Sequence, residues 1–164
     1  MNELDTEQQA GVEALSRALR SRGWRLATAE SCTGGLIAAA CTSLAGSSDW
    51  FERGFVAYSN EAKTELLGVP EALIAQHGAV SEAVARAMAE GALQRSSAQR
   101  AVALTGIAGP GGATPDKPVG TVWLAVARPD GTTALLLHLA GDRAAVRHQT
   151  VTRALRALLA SLRV

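Results

Sequence analysis

Short apolar runs of strand length alternate along this chain with longer stretches of helical periodicity, and that alternation limits it to layered α/β architectures. Val12, Leu15 and Leu19 mark one face of a first helix reaching Ser21, and Thr6 followed by Gln9 resembles a capping box at its start. Residues 24–28 and 53–58 read as strands, and the alanine-rich stretch 36–43 between them reads as a helix entered through Gly34 and Gly35. Two short helices, 60–67 and 70–76, are split by Gly68-Val69-Pro70. Ser81 caps a helix to Arg95, with Val84, Met88 and Ala92 at four-residue spacing. A strand over 100–106 runs into a glycine- and proline-rich loop over 106–118, after which 119–127 and 132–139 form a hairpin. A last helix starts at Asp142 and carries the stripe Val151, Leu155, Leu158 and Leu162. The pattern predicts one α/β domain, residues 1–164, built on a mixed sheet.

Charge and composition exclude several function classes. The net charge of +1 creates no field that draws the chain to nucleic acid or to an anionic membrane. Aromatic residues make up 4%, too few for a platform that stacks single-stranded bases. No apolar run approaches the roughly 18 to 20 residues of a membrane span. Met1 opens onto a polar stretch through Gln9 rather than a signal peptide, so the expected location is cytoplasmic. Cys32 and Cys41 lack CxxC spacing, and His77, His138 and His148 are isolated, so no metal and no cofactor are expected. The cations are unevenly chosen: fourteen are Arg, and only Lys63 and Lys117 are Lys. A buried lysine can shed its proton and act as a base where an arginine cannot, which draws attention to Lys63.

Four clusters carry possible chemistry. The run TAESCTGG, residues 28–35, lies between a strand and a helix, where hydroxyls and backbone N–H groups favour developing negative charge. Ser31 there is either a nucleophile or a helix cap; Cys32 is either a rival nucleophile or a small packed residue. The run YSNEAK, residues 58–63, holds the only tyrosine and one of the two lysines. A serine needs a base and no histidine is placed for it, which leaves Lys63 as base or as a solvated lysine beside Glu61. The glycines of TGIAGPGG, residues 105–112, free backbone N–H groups for a ligand or form a flexible approach to the hairpin; they match neither a P-loop nor a Rossmann fingerprint. Arg143 and Arg147 open the last helix, where cations oppose the dipole unless an anion compensates them or acidic neighbours pair with them.

In order, TAESCTGG, GSS (46–48), YSNEAK, HGAVS (77–81), TGIAGP (105–110), KPVG (117–120) and GDR (141–143) resemble the CinA C-terminal domain family from residue 6 to 162. The resemblance implies a three-layer α/β/α fold and hydrolysis of the carboxamide of nicotinamide mononucleotide to nicotinate mononucleotide and ammonia, in pyridine-nucleotide salvage. It implies Ser31 as nucleophile, Lys63 as base and Tyr58 and Ser48 beside them. Thr105, Gly106 and Gly109 would line the pocket, and Arg143 and Arg147 would hold the phosphate. Backbone N–H groups from Ser31 to Gly35 are the natural oxyanion donors, with Thr33, Gly34 and Gly35 expected to meet the substrate. The expected partners are the small nucleotide substrate and a second copy in a homodimer. With only residues 1–5 ahead of the resembling stretch, the N-terminal domain of longer members is expected to be absent. The alternative from another class is a catalytically silent nucleotide- or partner-binding module of the same fold.

Overall fold

The computed structural model describes residues 3–163, so Met1, Asn2 and Val164 lie outside the described residues. Five strands form one sheet in the order β2-β1-β3-β4-β5. These are β1 (Leu26–Glu30), β2 (Phe51–Val56), β3 (Arg100–Gly106), β4 (Thr121–Arg128) and β5 (Gly131–His138). β2, β1 and β3 run parallel, whereas β4 and β5 join antiparallel, which makes the sheet mixed as the hairpin predicts.

Helices cover both faces and complete an α/β/α sandwich. α1 (Thr6–Arg22), α2 (Leu36–Thr42) and α6 (Arg143–Ser161) share a core of large side chains that includes Leu15, Leu19, Ile37, Trp50, Leu124 and Leu155. α3 (Asn60–Leu67), α4 (Glu71–His77) and α5 (Glu82–Gln94) pack on the opposite face over an alanine-rich core. Each fully buried leucine, valine or isoleucine contributes about 1.5–3 kcal/mol, so the first face supplies most of the hydrophobic driving force.

Local chemistry sets the helix ends. Asp5, rather than Thr6, caps α1: its carboxylate accepts from Gln8 N at 2.7 Å, and left-handed Gly23 closes the other end onto Arg20 O and Leu19 O. Ser59, Ser81 and Asp142 cap α3, α5 and α6 through their side-chain oxygens. Two strands are displaced as a whole by two residues from their expected positions. β1 lies two residues later than 24–28 because Trp24 stays outside it, under the Arg100 guanidinium, while the charged Glu30 is taken in. β2 lies two residues earlier than 53–58 because the chain leaves the sheet at Ala57, where Tyr58 and Ser59 turn toward α3.

Candidate active site

The carboxyl ends of β1, β2 and β3 lie side by side, which is where open α/β sheets bind ligands. Ser31 follows β1 and is held from both flanks: its N–H donates to Leu104 O on the β3 side, and Ala57 N donates to the Glu30 carbonyl on the β2 side. α3 then carries Lys63 back over this edge. Lys63 Nζ lies 3.2 Å from Ser31 Oγ, 3.0 Å from Tyr58 O and 3.5 Å from Ser59 O. Lys63 is fully buried and has no ion-pair partner among the described residues, which excludes a solvated lysine paired with Glu61. Burial pushes its ammonium below the usual lysine value of 10.5, the direction a base requires. With two N–H groups given to the Tyr58 and Ser59 carbonyls, a neutral amine has its lone pair left for the Ser31 hydroxyl.

Ser31 is not a helix cap. Gly35 (φ 107°) stands at the N-cap of α2 with no side chain to offer, and left-handed Gly34 (φ 59°) precedes it, a pair of conformations that glycine alone adopts readily. The capping is done by Glu30, a residue the sequence reading passed over. Its buried carboxylate accepts from Thr33 Oγ1 at 2.7 Å, Ile37 N at 2.8 Å and Ala38 N at 3.0 Å. Its only signal in sequence is a charge at the end of an apolar strand. The Thr33 hydroxyl is spent on this contact and is fully buried, so Thr33 can face a substrate only through its backbone. Within the turn, Gly34 N donates to Ser31 O. Among the described residues the N–H groups of Cys32 and Thr33 have no oxygen acceptor, and the Cys32 N–H is turned to its own thiol. Cys32 is buried and burial pushes its thiol up to about 11, which removes it as a rival nucleophile near neutral pH.

The remaining residues divide into those that reach this edge and one that does not. Tyr58 meets the Ser31–Lys63 pair through its backbone carbonyl; its exposed phenol oxygen instead accepts from Arg143 Nη2 at 3.2 Å. Thr105 is buried beside Ser31, and its hydroxyl donates to Ala79 O at 2.9 Å, fastening β3 to the segment before α5. Gly106 ends β3, and the Gly109 carbonyl accepts from Arg143 Nη1 at 2.9 Å. Arg143 and Arg147 line a cavity of about 660 Å³ with Ala108, Pro110, Val119 and Gly141. Neither arginine makes an ion pair among the described residues, which sets aside pairing with Asp142 or nearby glutamates. Arg147 donates Nε to Cys32 O at 3.1 Å and Nη2 to Thr33 O at 3.3 Å. Ser48 is the exception. It sits in the exposed 3-10 turn Ser47–Asp49 before β2, at the amino end of the strands, with the length of parallel-paired β1 between it and Ser31. The expectation that it neighbours the site is therefore corrected: a parallel pair puts the start of β2 and the end of β1 at opposite edges.

Among the described residues, no helix is long and apolar enough to cross a membrane. The profile of the CinA C-terminal domain family matches residues 8–162. Nicotinamide-nucleotide amidohydrolase PncC from Escherichia coli (strain K12) is 53% identical over 94% of this chain and 94% of its own length. A CinA-like protein from Anaeromyxobacter dehalogenans is 56% identical over 88% of this chain, which spans only 36% of that longer protein. The chain thus covers little more than a third of some relatives and nearly the whole of others. Among solved structures, competence/damage inducible protein CihA from Agrobacterium tumefaciens superposes with a TM-score of 0.95 at 43% identity, over 98% of each chain.

Proposed function

The chain belongs to the CinA C-terminal domain family, and from that premise we propose that it is an amidohydrolase of nicotinamide mononucleotide, working through Ser31 and Lys63 in pyridine-nucleotide salvage. The observation that carries the reading is the 3.2 Å approach of a buried lysine amine to a serine hydroxyl at the carboxyl edge of the sheet. Resemblance in length and sequence to the Escherichia coli amidohydrolase supports the substrate.

The steps follow from the groups present. Neutral Lys63 takes the Ser31 proton as Oγ attacks the carboxamide carbon, giving a tetrahedral oxyanion. The free N–H groups of Cys32 and Thr33 are the donors available to stabilise it, and one such donor typically contributes about 2.7–4 kcal/mol. Collapse breaks the C–N bond as the Lys63 ammonium gives its proton to the amide nitrogen, which leaves as ammonia. Water then attacks the acyl ester with Lys63 as base, releasing nicotinate mononucleotide and restoring Ser31. Arg143, at the first turn of α6 and on the cavity wall, is the group best placed to meet a phosphate.

Ammonia release from nicotinamide mononucleotide tests this, with nicotinamide riboside as control. Wild type is expected to be active on the nucleotide and weak on the riboside, with Ser31→Ala and Lys63→Ala both inactive. A folded but inactive wild type would point to the binding-module alternative. Activity retained in Ser31→Ala would replace the acyl-enzyme with a directly activated water.

A further inference from the structure

We infer that Arg147 is a positioning residue for the nucleophile turn and not a ligand of the substrate phosphate. This rests on the amidohydrolase reading and divides the work of the two arginines that line the cavity. Arg147 sits one turn into α6, and its fork spans two consecutive carbonyls, Cys32 O at 3.1 Å and Thr33 O at 3.3 Å. The turn lies 115 residues earlier in the chain, so this is a tertiary contact and not a local cap.

A trans peptide is planar, with its N–H directed opposite to its C=O. Holding the Cys32 carbonyl therefore sets the direction of the Thr33 N–H, one of the free donors beside Ser31. Holding the Thr33 carbonyl sets the Gly34 N–H, which closes the turn onto Ser31 O. Glycines at Gly34 and Gly35 make this stretch the part of the site most able to rotate its peptide planes. Glu30 braces the turn from the α2 side through Thr33 Oγ1, and Arg147 braces it from the α6 side. Arg143 engages nothing in the turn; its partners are Gly109 O and the Tyr58 phenol on the rim. The planar fork matters as well as the charge, because a lysine ammonium cannot span two carbonyls in fixed geometry.

The experiment compares Arg147→Lys, Arg147→Met and Arg143→Met with wild type, using kcat and KM on the mononucleotide and kcat/KM on the riboside. Amide hydrogen exchange over residues 32–35, read at Gly34, whose N–H is bonded to Ser31 O, gives a readout independent of activity. Both Arg147 variants are expected to lose about 100-fold in kcat with KM moving less than about threefold, the signature of lost orientation in the transition state. The same factor is expected on the riboside, leaving the nucleotide-to-riboside preference unchanged, and exchange over 32–35 is expected to quicken. Arg143→Met is expected to lower that preference by raising KM for the nucleotide. A rise in KM confined to the nucleotide in Arg147→Met, with Arg147→Lys close to wild type and exchange unchanged, would make Arg147 a phosphate ligand and overturn the inference. If wild type proves inactive, the amidohydrolase reading fails by itself. Exchange over 32–35 still decides the clamp: quickened in Arg147→Met it stands, unchanged it falls.

Discussion

The two faces of the sheet are built from different side chains. On the side of α1, α2 and α6 the core is Leu19, Ile37 and Leu155 from the helices against Leu26, Leu104 and Leu124 from the strands, with Trp50 beside them. Beneath α3, α4 and α5 the strands offer Ala27, Ala29, Ala101, Ala103, Ala125 and Ala127, and α5 answers with Ala85, Ala89 and Ala92. Large side chains bury area and hold helices off the sheet, whereas small ones bury little and let backbones come close. Within that helical layer the packing is equally close: a Cβ on Gly91 of α5 would overlap the Leu67 carbonyl at the end of α3. Stability and positioning are thus separated between the faces. The aliphatic face carries the folding energy and, through α2, the nucleophile turn; the alanine face sets the distance at which α3 brings Lys63 to Ser31.

The largest effect is expected of Lys63→Met. It is expected to reduce ammonia release on the order of 1000-fold or more while leaving the fold intact. Its stability has a defined pH dependence. Burial lowers the folded-state pKa of Lys63 below 10.5, so between the lowered value and 10.5 the unfolded chain binds more protons and wild-type stability rises with pH. Below that window the cost of burying the amine is complete. Lys63→Met is therefore the more stable protein in urea denaturation at neutral pH, and its advantage shrinks as the pH approaches 10.5. The same lowered pKa predicts that wild-type kcat/KM climbs with pH and levels off below the ordinary lysine range.

Leu124 and Ala125 are adjacent in β4 and face opposite cores, so they separate the two kinds of packing. Leu124→Ala opens a cavity in the aliphatic face and is expected to cost about 2–5 kcal/mol. Ala125→Leu overpacks the alanine face and is expected to cost about 1–3 kcal/mol. The second change pushes α5 outward, so activity per folded molecule falls more in Ala125→Leu than in Leu124→Ala. Equal activity losses in the two variants would end the claim that one face positions and the other stabilises.

Cys32 lies beside the nucleophile, yet Cys32→Ala is expected to keep activity within a few-fold, since a thiol at about 11 is protonated at neutral pH. Alkylation by iodoacetamide at pH 7.5 (about neutral) is expected to be correspondingly slow. The smallest effect belongs to Ser48→Ala, expected within about twofold of wild type because the residue sits at the opposite edge of the sheet. A large loss there would require Ser48 to reach a site other than that of its own chain.

Much of this was legible residue by residue. The caps at Ser81 and Asp142, the glycine break at residue 68 and the hairpin about Gly131 are local chemistry, and each element they bound is present. The cap of α1 falls on Asp5 and not Thr6, because its carboxylate both accepts from Gln8 N and meets the His148 ring at 2.7 Å, 143 residues away. Glu30 was hidden for the same reason: a charge in an apolar strand reads as a boundary until the N–H groups that satisfy it are known.

Periodicity and capping act over three or four residues, so the alternation of strands and helices, the helix ends and the chemical types gathered at each strand end are local properties of the chain. Which of those groups meet depends on long-range packing. Parallel pairing of β1 with β2 and β3 put Ser31, Lys63 and Thr105 on one edge and sent Ser48 to the other. The packing of α6 against the first face turned Arg147 onto the Ser31 turn while Arg143 stayed at the rim. Such meetings join residues 32 to 115 positions apart, and only the burial of both faces of the sheet holds them together.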